Sequence, residues 1–293
     1  MYSPRAMRQP ALPFAPEDER PVVLCRRTRA SRDAPCAVDG RAMGTFVDLA
    51  VSREGRASVD GPTVAEAFEV PPLIVPVLTH AGPMAGAFLV ERPVAASDVV
   101  TFFGRRPHAL DEEGWRTVLG QFVDARRVLV ARGATAVVLS IDSCGLLASA
   151  LSPRTNPLSR EAERIDRVSS FAHALADGPV PLGIALTVEE RMPGGIDARL
   201  GIDTARACVA AGATFIIAGI ATGSIDREAP VLVDTGDPVN ASAAWLVGRV
   251  DVPVFASGTT TDVARAAHRA RAFGLVGFVD VDEAALAPAR GHV

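Results

Sequence analysis

The chain has 293 residues, 48% of them hydrophobic, with a formal net charge of −4, a composition that supports a large packed core and excludes a disordered polymer. Its basic residues are all arginines without a visible block, so a nucleic-acid footprint is not expected, and the lack of lysine excludes Schiff-base chemistry and pyridoxal attachment. The one tyrosine is Tyr2, which leaves no phenolic proton donor for the body of the chain, and Cys25, Cys36, Cys144 and Cys208 lack metal-ligand spacing, as expected of thiols in a reducing cytosol.

Residues 1–20 contain four prolines and no apolar run resembling a signal-peptide core, and are expected to form a flexible arm. No later segment has the 18 or so apolar residues of a membrane span, so a cytoplasmic, membrane-free protein is expected, with residues 21–293 as one domain. Eight short apolar runs follow in order: PVVLC (21–25), TFVDLAV (45–51), PLIVPVLT (72–79), AVVLSI (136–141), PLGIALT (181–187), TFIIAGI (214–220), VPVFAS (252–257) and GLVGFV (274–279). Near-continuous apolar runs of this length read as strands buried on both faces, as in a parallel sheet wrapped by helices. Between the third and fourth runs, Trp115, Leu119, Phe122, Arg126 and Leu129 recur at three- and four-residue steps, which predicts a helix over 111–132 stopped by Gly133. Further helices are predicted over 160–176, 199–211, 239–248 and 261–273, with Gly212 and Gly274 as stops and Asp197 or Asp203 as the start of the third helix of the chain. Alternation of strand and helix through eight strands predicts a single α/β (β/α)8 TIM barrel. The connections after the first two strands show little apolar periodicity. The first two barrel helices are therefore expected to be shortened, leaving apolar surface for a partner: a homo-oligomer or a complex with another protein.

The same residues carry a resemblance that runs through most of the chain. RRTRASR (26–32), VDLAVSREGRA (47–57), VLTHAGP (77–83), RPVAASDV (92–99), RPHALDEEGW (106–115), ALSPRTN (150–156) and LTVEERMPGG (186–195) follow one another as in the old yellow enzyme family, the NADH:flavin oxidoreductases. The chain resembles that family, and SPRTN is the most specific segment. The resemblance implies a TIM barrel, an FMN cofactor and ene-reductase chemistry. It also puts Thr28 in the place of a threonine that touches the flavin.

Other positions depart from the family pattern. Ser140 and Ser143 stand where the resemblance puts the pair that grips the substrate carbonyl, and Gly145 stands where it puts the proton-donating tyrosine. Val77 replaces a glutamine and Ala185 an arginine at the flavin. Gly258-Thr259 replaces the glycine pair at the phosphate, and Val279-Asp280 replaces a Gly-Arg. Exchanging a phosphate-binding cation for a carboxylate turns attraction into repulsion. Two unit charges about 4 Å apart interact by roughly 4 kcal/mol at an effective dielectric near 20.

The expectation is therefore a divergent member of the fold that holds no cofactor, with FMN as the alternative and Thr28 as its remaining contact. Barrel sites lie at the C-terminal ends of the strands. There the chain offers His80, Ser140, Asp142, Ser143 and Glu189 as candidate catalytic residues, with His80 or Asp142 as base, for proton-transfer chemistry on a small-molecule substrate with a carbonyl group: isomerisation, dehydration or cyclisation. The competing readings are that His80 braces a loop, Asp142 caps the following helical turn, and Glu189-Glu190-Arg191 forms a solvated loop. At the level of the whole chain they are a non-catalytic subunit docked on a partner, or an FMN-dependent reductase. No metal site is expected.

Overall fold

Each apolar run in the sequence becomes a strand. The computed structural model describes residues 22–27, 45–49, 74–80, 82–84, 93–100, 105–142, 145–221, 241–258 and 263–281. In chain order the strands are β1 (Val22–Arg27), β2 (Thr45–Leu49), β3 (Ile74–Leu78), the two-residue β4 (Val94–Ala95) and β5 (His108–Ala109), β6 (Val137–Ile141), β7 (Leu182–Glu190), β8 (Phe215–Ala221), β9 (Val254–Gly258) and β10 (Gly277–Val281). Eight of them form one curled parallel sheet that closes in the order β1-β10-β9-β8-β7-β6-β3-β2. The register fixes which residues share a level: Val77 lies opposite Val138, Ser140 opposite Ala185, Ile217 opposite Phe255, and Gly258 opposite Asp280. β4 and β5 pair with each other, Val94 opposite His108.

Strand alternation divides the core in two. Leu78, Leu139, Ile141, Ile184, Leu186, Ile216, Ala218, Val254, Ala256 and Phe278 belong to one large cluster shared with the helices. The residues of opposite parity, Val75, Val77, Ala136, Val138, Ala185, Phe215, Ile217, Phe255 and Val279, form a second cluster inside the curl of the sheet. Phe215 and Phe255 meet there edge to face at 6.2 Å. The Phe215 ring fills the space a side chain at Gly183 would need, since a Cβ at that position would lie 2.2 Å from it.

The helices are α1 (Glu112–Ala131), α2 (Leu146–Leu151), α3 (Glu161–Ala176), α4 (Ala198–Ala210), α5 (Ala241–Ala244) and α6 (Val263–Ala272). α1 starts at Asp111, whose carboxylate accepts from the Gly114 amide at 2.8 Å. It buries Trp115, Val118, Phe122, Ala125, Arg126 and Leu129, and Trp115 and Phe122 abut Phe171 of α3 edge-on. Arg126 lies in this buried stripe because its guanidinium donates to the carbonyls of Asp177 (2.8 Å) and Val180 (3.1 Å), satisfying backbone groups between α3 and β7. α4 begins at Asp197, which accepts from the Leu200 amide at 2.8 Å, so of the two candidate starts the structure takes the first.

Two elements differ from the sequence expectation. The helix expected over 239–248 is regular only over Ala241–Ala244. α2 is an extra short helix that follows β6, capped at Gly145 without a side-chain bond. The N-terminal arm and the connections expected to carry shortened helices lie outside the described residues.

Candidate active site at the exits of β3, β6 and β7

The first exit is that of β3. His80 is buried, and its Nδ1 accepts the Gly82 amide at 2.9 Å, while its carbonyl accepts the Leu146 amide of α2 at 2.9 Å. Gly82 has φ +54, and a Cβ on it would lie 2.6 Å from the Leu146 Cα. The His-Ala-Gly ending thus folds back onto the first turn of α2, and only glycine fits the contact. Burial lowers the His80 pKa to about 4, so the ring is neutral at pH 7. With Nδ1 accepting, its proton sits on Nε2. In this tautomer the ring can donate a hydrogen bond through Nε2.

The second exit is that of β6. Ser140 is 6% exposed and its hydroxyl donates a short hydrogen bond to Asp142 Oδ1. Asp142 does not supply the N-cap of α2, which is Gly145. A Cβ at Gly145 would lie 3.0 Å from the His80 carbonyl oxygen and 3.6 Å from Thr79 Oγ1, so the exits of β3 and β6 are packed against each other. Ser143 and Cys144 lie outside the described residues, as do Thr28 and Thr259.

The third exit is that of β7. The strand does not end at Thr187: after a register shift between Thr187 and Glu189 it continues to Glu190, with Glu189 opposite Ile220 and Glu190 opposite Ala221. The solvated-loop reading of Glu189-Glu190-Arg191 is corrected here. Glu190 is half-buried; its Oε2 accepts from the Ser152 hydroxyl at 2.6 Å and from the Ile196 amide at 2.9 Å. Glu189 belongs to the same strand end and is half-buried.

Glu190 connects this exit to the SPRTN segment. Thr155 Oγ1 donates to the Ser149 carbonyl (2.7 Å) and Asn156 Nδ2 to the Ala150 carbonyl (3.0 Å), closing the C-terminus of α2. The Arg154 guanidinium reaches the Pro193 carbonyl, and Ser97 Oγ donates to the Thr155 carbonyl at 2.6 Å. The SPRTN frame therefore ties α2, the β7 exit and the stretch after β4 together. Arg154, Thr155 and Asn156 reach backbone carbonyls, and Ser152 reaches the Glu190 carboxylate.

At the positions where the resemblance places flavin contacts, the structure puts Val77, Ala185 and Val279 in the apolar cluster inside the sheet. None of the three can donate a hydrogen bond or carry a positive charge from its side chain. Asp280 and Gly258 are paired through the β9–β10 register. Among the described residues no group of three or more His, Cys, Asp or Glu could hold a metal ion, and no helix is long and apolar enough to cross a membrane. The buried Cys208 thiol is pushed up to about 12 by burial, which makes it inert.

No protein-family model matches the sequence, and no curated protein matches it. Solved structures do match. A 2-naphthoyl-CoA reductase in complex with 2-naphthoyl-CoA aligns over 81% of this chain and 42% of its own length, with 15% identity and a TM-score of 0.68. This chain thus spans well under half of that protein. Morphinone reductase in complex with tetrahydroNAD aligns over 81% of this chain and 73% of its own, with 14% identity and a TM-score of 0.63. The old yellow enzyme homologue from Zymomonas mobilis aligns over 81% and 74%, with 16% identity and a TM-score of 0.60. At these identities the likeness is one of fold, and the chain has the α/β fold of the old yellow enzyme homologues.

Proposed function

We propose that this chain is a complete (β/α)8 barrel of the old yellow enzyme type, with shortened first helices, that works without FMN as an acid–base enzyme on a small carbonyl compound. The observation that carries the reading is the Ser140–Asp142 hydrogen bond at the exit of β6, where the resemblance places a carbonyl-gripping pair. The apolar packing of Val77, Ala185 and Val279 supports the loss of the flavin. In the proposed reaction the Asp142 carboxylate takes a proton from the carbon next to the substrate carbonyl. Neutral His80 donates from Nε2 to the carbonyl oxygen as charge develops on it, and Ser140 holds the carboxylate in place. Return of that proton to the former carbonyl carbon, while the hydroxyl on the deprotonated carbon gives its proton back to His80 Nε2, completes the isomerisation of a hydroxy ketone with no net change in electrons.

The test is deuterium exchange in D2O at the carbon beside the carbonyl of a small hydroxy ketone, dihydroxyacetone, followed by proton NMR. Exchange above the buffer rate is expected with the native protein, and at least a tenfold loss with Asp142→Asn. Exchange by the variant at the native rate would sink the proposal.

The fold likeness to reductases favours one other reading, an FMN-dependent reductase. Titration with FMN separates the two. A protein that is colourless as purified and does not quench flavin fluorescence supports the first reading, and a yellow protein with bound FMN supports the second.

A further inference from the structure

The turn that follows β3 uses a buried imidazole as a hydrogen-bond acceptor. His80 is 5% exposed, and its Nδ1 accepts the Gly82 amide at 2.9 Å. That bond exists only while the ring is neutral, because an imidazolium carries a proton on both nitrogens. A charged ring would set two N–H donors against each other. Close packing around the ring leaves it little room to turn away.

The same turn carries the start of α2. The His80 carbonyl accepts the Leu146 amide at 2.9 Å. Gly82, at φ +54, lies so close to Leu146 that an added Cβ would come within 2.6 Å of its Cα and 2.7 Å of its nitrogen. A shift of the Gly82 peptide is therefore passed directly to the first turn of the helix. α2 has no side-chain cap at Gly145 to hold that turn by itself. Its far end is secured separately, by Thr155 on the Ser149 carbonyl and Asn156 on the Ala150 carbonyl. One end of α2 thus depends on the protonation state of His80, and the other does not.

The surroundings supply no charge that would offset protonation of the ring. β3, the turn Gly82–Met84, β4 and α2 contain no titratable side chain. At the β6 exit the titratable group is Asp142, which accepts from Ser140. Burial is what lowers the His80 pKa, to about 4.

We propose that His80 is the pin of an acid-released latch: protonation of its ring breaks the Gly82 bond, frees the first turn of α2 and opens the seam between the β3 and β6 exits, while the rest of the barrel stays folded. The latch does not depend on the proposed reaction. It closes again when the ring loses its proton.

The test is NMR on the full-length 15N-labelled protein, titrated from pH 7 down to about 3.5. The ring nitrogens of His80 report its protonation, and amide exchange, corrected for the intrinsic effect of pH, reports local opening. Protection of the Gly82 and Leu146 amides is expected to fall at least tenfold, with the same midpoint as the ring. The amides of Val137, Asn156 and Ile216, which bond to the carbonyls of Pro181, Ser152 and Pro253, are expected to keep theirs. His80→Asn offers a side-chain oxygen as acceptor and cannot titrate, so Gly82 and Leu146 should stay protected in acid. Persistence of both protections after the native ring has titrated rules out the latch. So does a ring that is still neutral at the lowest pH. Simultaneous loss of protection at all five amides does so too, since that is global unfolding. A loss in His80→Asn equal to the native one places the acid-sensitive group elsewhere and overturns the role of His80.

Discussion

His80 is the residue whose environment most constrains the behaviour of the site. Its folded pKa of about 4 lies below the ordinary imidazole value of 6.5, because burial disfavours the charged ring. Between those values the unfolded chain binds a proton that the folded chain does not. The contribution of the neutral ring is therefore fully present above pH 6.5 and is lost as pH falls toward 4, at most about 3 kcal/mol in all. Urea unfolding at pH 7, 5.5 and 4 should show this loss, and His80→Asn should flatten it; an unchanged pH slope in the variant would assign the acid sensitivity elsewhere. Glu190 shows why single residues were hard to read. In the sequence, Glu-Glu-Arg looks like solvent-exposed charge, because nothing in a linear pattern signals that a carboxylate will meet Ser152, 38 positions earlier in the chain, and the Ile196 amide. Glu190→Ala leaves both donors without their acceptor and is expected to destabilise by about 1–3 kcal/mol, measured by chemical denaturation; a change under about 0.5 kcal/mol would mean water replaces the carboxylate.

At the scale of elements, the strands were legible because both of their faces are buried, so apolar residues run almost without interruption through β6, β7 and β8. The same property hid the burial of Ser140, Thr187 and Ser257, since one serine or threonine at the end of an apolar run carries no visible alternation. α1 and α4 announced themselves through apolar spacing and an aspartate cap. α2 did not, being six residues long, without a side-chain cap, and with all six residues buried. Its position is set instead by contact with the β3 exit at Gly82. Gly82→Ala should therefore cost more than a surface glycine would: positive φ and a 2.6 Å approach to the Leu146 Cα together predict a loss of roughly 2–4 kcal/mol. Gly133→Ala, also at positive φ but with nothing within 4 Å of its Cβ, provides the comparison and should cost about 1 kcal/mol. Equal losses in the two variants would show that the close approach to α2 is relieved by small backbone shifts.

For the molecule as a whole, the closed order of eight strands makes the interior cluster the shared support of every exit. Phe255→Ala should destabilise by about 3–5 kcal/mol as a large buried ring is removed, with one cooperative transition in calorimetry. A mild loss, or two transitions, would mean the sheet does not unfold as one unit. The eight-strand alternation and the old yellow enzyme resemblance could be read from the chain. The division of the core into one cluster under the helices and one inside the sheet could not, because it depends on register between strands far apart in sequence. Gly145 illustrates how far that closure reaches. At the position the resemblance assigns to a phenolic donor, an added Cβ would lie 3.0 Å from the His80 carbonyl, which itself anchors the first turn of α2. A tyrosine placed there could be seated only if the His-Ala-Gly turn gave way by a few tenths of an ångström, so the backbone at the β3 exit limits position 145 to the smallest side chain.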